Sequence, residues 1–319
     1  MSEVRKAGPR RPPAEDGLVI VDKPINWTSH DVVARMRTLA ATRKVGHAGT
    51  LDPMATGVLV VGVGKATRLL NYIVGADKEY QATIRLGVAT TTEDAQGDVT
   101  QVVETSGVSF DEIVHAAGTL TGDILQVPSA VSAIKVNGKR AYERVRSGEH
   151  VELEARPVTV HSFEVHDVRE AVSDHGKVVD VDVTVCVSSG TYVRALARDL
   201  AVELGTVGHL TRLRRTRVAG YTLENSATLE QLEADVAEHG SISVLKLADA
   251  ARSAFDVRDL TEEETTALGF GKRLSPQHTS ATSDTPVTVA GISPAGELVA
   301  LLKEDGRKAQ PVVVFAVQQ

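Results

Sequence analysis

Four consecutive apolar residues in Gly17-Leu-Val-Ile-Val-Asp22 predict a short buried strand. Thr28-Ser-His-Asp31 follows with the form of a capping box, in which a hydroxyl and an acid three residues on satisfy each other's backbone amides. Val32, Val33, Met36, Leu39 and Ala40 recur at helical spacing, so a helix with one apolar stripe is predicted there. Residues 58–63 read as a strand, 66–74 as a helix, and 79–86 alternate as a strand with one covered face. Residues 111–120 predict a helix. Asn137-Gly138 marks a tight turn, with a helix after it through Val145. Val179, Val181, Val183, Val185 and Val187 alternate with polar residues and predict a strand buried on one face. Residues 192–204 predict a helix, stopped by Gly205.

Strands and helices mix without a strict strand–helix–strand repeat, which favours an α+β fold with a largely antiparallel sheet. A charged helical stretch near 223–240 separates this body from a strand-rich remainder. That remainder carries strand patterns at 287–292, 298–302 and 312–317, broken by a turn-rich segment at 275–286. The expected organisation is a flexible basic tail over 1–16, a main domain over 17–240 and a small β domain over 245–319.

Composition then narrows the class. Apolar residues make up 42% of the 319, so a real core is available and wholesale disorder is excluded. No apolar run reaches the roughly 18 residues of a membrane helix, and the basic, Pro-rich N-terminus lacks the apolar stretch of a signal peptide. A single cysteine, Cys186, excludes an intramolecular disulfide and a cysteine-based zinc cluster. The simplest location is cytoplasmic. Net charge is −7, which argues at first against nucleic acid. Its distribution changes that view. Residues 221–319 hold 8 basic and 15 acidic side chains, while residues 1–220 hold 27 of each. Within the neutral part the cations cluster. Arg194, Arg198, Arg212, Arg214, Arg215 and Arg217 form one group; Lys135, Lys139, Arg140, Arg144 and Arg146 form another. Such patches contact phosphates, or they are solvated faces.

The stretch with most chemical content is Gly46-His-Ala-Gly-Thr-Leu-Asp52-Pro53, with Gly57 beyond it. Glycines permit sharp turns and close approach. Pro53 pushes Asp52 towards extended backbone. The result is an ordered loop presenting one carboxylate, which taken alone is either a structural Asp-Pro turn or a reactive acid. Arg194, early in its helix, is a partner for Asp52, a phosphate contact or a helix-surface charge. Gly62-Val-Gly-Lys65-Ala66 suggests a phosphate loop, but Leu59 and Ala66 occupy positions where that loop needs Gly and Ser/Thr, so nucleoside triphosphate binding is rejected.

Several of these segments together resemble the TruB-type tRNA pseudouridine-55 synthases. The similarity runs from about Gly17 to Tyr221. It comprises Asp22-Lys-Pro24, the Asp52 loop, Lys78-Glu-Tyr80, Leu86-Gly87 with Asp94 downstream, Gln126-Val-Pro-Ser129, Ser132-Ala-Ile-Lys135 and Gly190-Thr-Tyr-Val-Arg194. The resemblance implies isomerisation of uridine to pseudouridine in the tRNA T loop, with Asp52 as nucleophile and Arg194 as its partner. Tyr80 would stack on the flipped uracil and move a proton. Tyr192 would cover the target nucleotide, His47 would contact RNA around the flipped base, and Leu213 would border the uridine pocket or serve as plain core. Lys135, Lys139 and Arg140 would belong to an RNA-clamping insertion near 130–155, and the C-terminal domain would be PUA-like, though acidic here. No cofactor, metal, guide RNA or obligatory protein partner is implied, and a stand-alone monomer is expected. Two other readings remain open from the residues: an RNA-binding folding factor, and a guide-dependent synthase subunit.

Overall fold

The computed structural model describes residues 11–129, 135–136, 139–140, 153–277, 286–305 and 307–315. The apolar run at Gly17–Lys23 forms β1, buried along almost its whole length. The capping box is present in both directions at Thr28 and Asp31 and opens α1 (Ser29–Leu39). Then come β2 (Val45–Ala48), β3 (Thr56–Val63), a 3-10 turn at Gly64–Arg68, α2 (Leu70–Ile73) and β4 (Lys78–Leu86). The single helix expected over 66–74 is therefore split. A small ribbon, β5 (Val88–Thr90) with β6 (Val99–Val102), precedes α3 (Phe110–Thr119) and β7 (Gly122–Gln126). Within the expected insertion, β8 (Lys135–Val136) pairs antiparallel with β9 (Lys139–Arg140). The turn expected at 137–138 and the helix through Val145 lie outside the described residues.

The remaining body consists of the long hairpin β10 (Arg156–Ser173) and β11 (Gly176–Val187), α4 (Val193–Glu203), β12 (Gly208–Val218), β13 (Tyr221–Thr222), α5 (Leu229–His239), β14 (Leu245–Lys246) and α6 (Leu247–Ala254). One sheet runs through it in the order β14-β1-β3-β12-β4-β11-β10-β7, with β2 also on β3 and β13 also on β12. Its described pairings are antiparallel except a short parallel contact, where Arg214 and Arg215 of β12 register with Thr56 and Gly57 of β3.

The side-chain alternation of β1 and β3 divides the core. Val19, Val21, Leu59 and Val61 face one layer with α1, α4 and α5; Leu18, Ile20, Val58 and Val60 face the other. The valines of β11 at positions 179, 181, 183, 185 and 187 all enter the first layer. Their polar alternates form charged ladders on the opposite face: Asp180 accepts both Arg85 Nε and Nη2 at 2.8 Å, and Asp182 accepts Arg169 Nη1 at 2.6 Å.

The C-terminal sheet is β15 (Asp256–Asp259), β16 (Val287–Ile292), β17 (Leu298–Glu304) and β18 (Ala309–Val314), with α7 (Glu262–Gly269) packed against it. Its Ala290, Ile292, Leu298 and Leu301 share a core with Leu18 and Val58 of the main sheet. The region is less purely β than its pattern suggested; its last strand begins at Ala309, before the expected 312, and residues 316–317 of that expectation lie outside the described residues. Leu245 still pairs with Leu18, so the main sheet holds the chain past residue 245. At the other end, Ala14 N donates to the Ala40 carbonyl at 2.9 Å, so part of the expected tail lies against the body.

Candidate active site

Asp52 sits between β2 and β3 on a loop pinned from both sides. Upstream, Ser29, placed by the α1 capping box, accepts from Leu51 N at 2.9 Å and donates to the Leu51 carbonyl at 3.2 Å. Arg215 Nη2 donates to the Gly49 carbonyl at 3.0 Å, and its Nε to the Val58 carbonyl at 2.7 Å. Downstream, Lys23 Nζ donates to the carbonyls of Trp27 (2.6 Å), Pro24 (3.0 Å) and Pro53 (3.3 Å). Asn26 N also donates to the Pro53 carbonyl, at 2.8 Å. Gly57 is where the loop rejoins the sheet. Its φ is +102°, and a Cβ there would lie 2.1 Å from the Arg215 carbonyl oxygen. Only glycine permits that approach.

Arg194 reaches the loop from the first turn of α4. Its Nε lies 3.0 Å from Asp52 Oδ2; the arginine side chain is 5% exposed and the aspartate 37%. Arg194 Nη1 also donates to the Thr92 carbonyl at 2.9 Å and to Ser129 Oγ at 3.3 Å, and lies 3.7 Å from Asp94 Oδ2. A buried guanidinium needs such partners to remain desolvated. The pair opens onto a cavity of about 280 Å³ lined by Asp52, Lys78, Tyr80, Tyr192, Arg194 and Leu213, among others. That lies at the small end of the range of ligand-binding cavities.

Of the residues singled out from the sequence, Asp52, Tyr80, Tyr192, Arg194 and Leu213 meet at this cavity. Tyr80 and Leu213 are also core residues, 8% and 6% exposed, on neighbouring strands β4 and β12. Tyr192 is the residue before α4; its N–H donates to Gln126 Oε1 at 2.9 Å, and Gln126 Nε2 donates back to its carbonyl at 3.2 Å. His47 stands apart on β2, edge-on to His30 at 5.7 Å between ring centroids. Its Nδ1 is buried without a hydrogen-bond partner among the described residues. Burial, reinforced by His30 and Arg215, pushes the imidazole below its ordinary pKa. The side chains of Lys135, Lys139 and Arg140 lie outside the described residues.

Most members of the arginine cluster at 194–217 are engaged within the protein rather than freely solvated. Arg194, Arg198 and Arg214 are ion-paired with Asp52, Glu93 and Asp22, and Arg215 is fully buried. Arg217 Nη2 lies 3.8 Å from Glu79 Oε2, which leaves Arg212 as the exposed member. Sequence reasoning also gave no role to Lys78, whose Nζ donates to the carbonyls of Ala76 (2.6 Å) and Val74 (3.0 Å) at the cavity wall. Burial, then the Arg215 charge, lowers the Lys78 pKa to about 8, against a smaller opposing effect of Asp77. Lys23 is lowered to about 8 in the same way, chiefly by burial and partly restored by Asp52. The available signal for Arg215 was strand periodicity, which places it on the face of Leu213.

Comparison with known proteins matches most of this architecture. Residues 37–193 fit the model of the TruB family pseudouridylate synthase N-terminal domain. Residues 194–248 fit the tRNA pseudouridylate synthase B C-terminal domain, and 255–316 the C-terminal model of tRNA pseudouridine synthase II. This chain belongs to the TruB family. A tRNA pseudouridine synthase B from Paenarthrobacter aurescens is 57% identical over 303 residues, 94% of this chain and 95% of that protein. One from an Arthrobacter species is 58% identical over 307 residues, covering 94% and 96%. Among solved structures, the crystal structure of a Cbf5–Nop10–Gar1 complex is similar, with a TM-score of 0.71 at 26% identity over 94% of this chain and 85% of that one. The TruB family match thus spans the Asp52 loop, the Arg194 helix and the small C-terminal sheet in one order.

Proposed function

We propose that this protein isomerises uridine to pseudouridine at position 55 in the T loop of tRNA, acting alone as a monomer without cofactor or guide RNA. The observation that carries the reading is the Asp52–Arg194 contact of 3.0 Å at the wall of a small cavity. Relatives more than half identical along nearly the whole chain bear the name tRNA pseudouridine synthase B.

The chemistry needs a base taken out of its stack, at an unpairing cost of a few kcal/mol. Tyr80 and Tyr192 offer rings for the extruded uracil, and Leu213 an apolar edge. Arg194 aims the Asp52 carboxylate through their 3.0 Å contact. Asp52 acts on the ribose as nucleophile. The C1′–N1 bond breaks with its electron pair on the base, the base turns, C5 bonds to C1′ as the bond from Asp52 to the sugar is released with its electron pair on the carboxylate, the C5 proton leaves, and N1 takes up a proton. Tyr80 moves the C5 proton in this reading. His47, Lys135, Lys139 and Arg140 contribute RNA contacts.

The test uses purified protein alone with an unmodified tRNA transcript tritiated at uridine C5, beside a transcript carrying cytidine at position 55. Tritium release limited to the first transcript supports the reading. Equal release from both would place the target elsewhere, and release from neither would reject stand-alone catalysis.

A further inference from the structure

Arg198 lies one helical turn after Arg194 on α4, so the two guanidinium groups leave the same face. They span the same two segments. Arg194 reaches the Thr92 carbonyl and Ser129 Oγ. Arg198 Nη1 donates to Glu93 Oε1 at 2.7 Å, Nη2 to the Val127 carbonyl at 2.8 Å, and Nε to Asp199 Oδ1 at 2.9 Å. With the Gln126–Tyr192 exchange, residues 92–94 and 126–129 are both tied to the start of α4.

Glu93 is the strained member. Its φ is +60°, a left-handed backbone that a non-glycine residue keeps only when its surroundings enforce it. Its Oε2 is buried with no hydrogen-bond partner among the described residues. Its carbonyl accepts from Leu210 N at 3.0 Å, which anchors the turn to β12. The next residue, Asp94, accepts from Thr92 Oγ1 at 2.6 Å and from Gln96 N at 3.0 Å, and turns its other oxygen towards Arg194. Any slackening at Glu93 therefore moves both of the Arg194 supports on this turn, the Thr92 carbonyl and the Asp94 carboxylate. Arg198 itself does not line the cavity.

We propose that Arg198 and Glu93 are positioning residues for the reaction: their ion pair fixes the 92–94 turn and the 126–129 segment against α4, so that Arg194 stays in register on Asp52. The proposal rests on the pseudouridine synthase reading. A pair serving stability alone would shift the melting temperature and leave turnover per folded molecule unchanged.

The test is kcat and KM for tritium release from the tRNA transcript, measured well below each protein's melting temperature. The proteins are wild type, Arg198→Met, Glu93→Gln, the double variant and Arg198→Lys. Arg198→Met is expected to lower kcat about tenfold with KM within about twofold, and the double variant to lose no more than the single one, as coupled partners do. Arg198→Lys is expected to recover most of the loss. An unchanged kcat in Arg198→Met, or additive losses in the double variant, overturns the proposal. If Arg198→Met does not fold, Glu93→Gln decides by the same criterion. Absence of release by wild type would reject the underlying reading rather than the pairing.

Discussion

Arg194 and Asp52 meet at 3.0 Å with opposite environments: the arginine is 5% exposed and the aspartate 37%. The cation is fixed from behind by Thr92, Ser129 and Asp94, while the carboxylate faces the cavity. Such an arrangement aims the anion without neutralising its access to a ligand.

Replacing Arg194 by lysine should therefore be severe. A lysine ammonium cannot reach Asp52, the Thr92 carbonyl and Ser129 together, because the planar fork of donors is gone. Turnover is expected to fall about a hundredfold or more, the scale associated with a misplaced reacting group, while tRNA affinity changes by no more than a few-fold. Single-turnover tritium release with filter binding measures both.

Gly57→Ala should unfold the junction of the Asp52 loop with the sheet. The new Cβ would meet the Arg215 carbonyl at 2.1 Å, on a backbone with φ of +102°. A loss of roughly 3 kcal/mol or more is expected from combined strain and clash, read from urea unfolding midpoints. Gly190→Ala is the control, since a Cβ there meets nothing within 4 Å and only its φ of +93° opposes the change; it should lose less.

Lys78 makes stability depend on pH in a defined direction. Its pKa falls from 10.5 to about 8 in the fold. Between pH 8 and 10.5 the unfolded chain binds more protons than the folded one, so this group raises stability as pH increases through that window. Below pH 8 the buried charge is a standing penalty. Lys78→Met removes the effect, so wild type should gain a few kcal/mol relative to the variant between about pH 7.5 and about pH 10.5. Denaturant unfolding of both proteins at the two pH values checks the sign.

We propose that Lys139 and Arg140 bind RNA. Neutralising both should weaken tRNA binding and reduce the slope of log K against log salt by about one for each phosphate no longer neutralised. An unchanged slope would put the phosphate-binding groups elsewhere.

The local features of this chain were legible because their causes are local. The Thr28–Asp31 capping box, the apolar run of β1 and the valine alternation of β11 each carry their signal within a dozen residues. The Asp52–Arg194 pair is non-local; resemblance, not periodicity, singled it out. The internal pairing of the other arginines of 194–217 is non-local for the same reason. Their partners Asp22, Glu93 and Glu79 lie on distant strands and turns, so a sequence count of charge could not distinguish internal pairing from a basic surface. The long strand β10 was hidden because most of its residues are exposed or half-buried, which obscures the alternation. The short helices α6 and α7 span only eight residues each, too few for a clear helical period.

The central claim is that Asp52 performs the chemistry in a site otherwise built to hold RNA. The direct measurement is tritium release from C5-labelled tRNA by wild type and Asp52→Asn, with the affinity of each for the same tRNA. Release by wild type only, at affinities within a few-fold of each other, is the predicted result. Turnover by Asp52→Asn above a trace would contradict it, because an amide at that position cannot serve as the nucleophile.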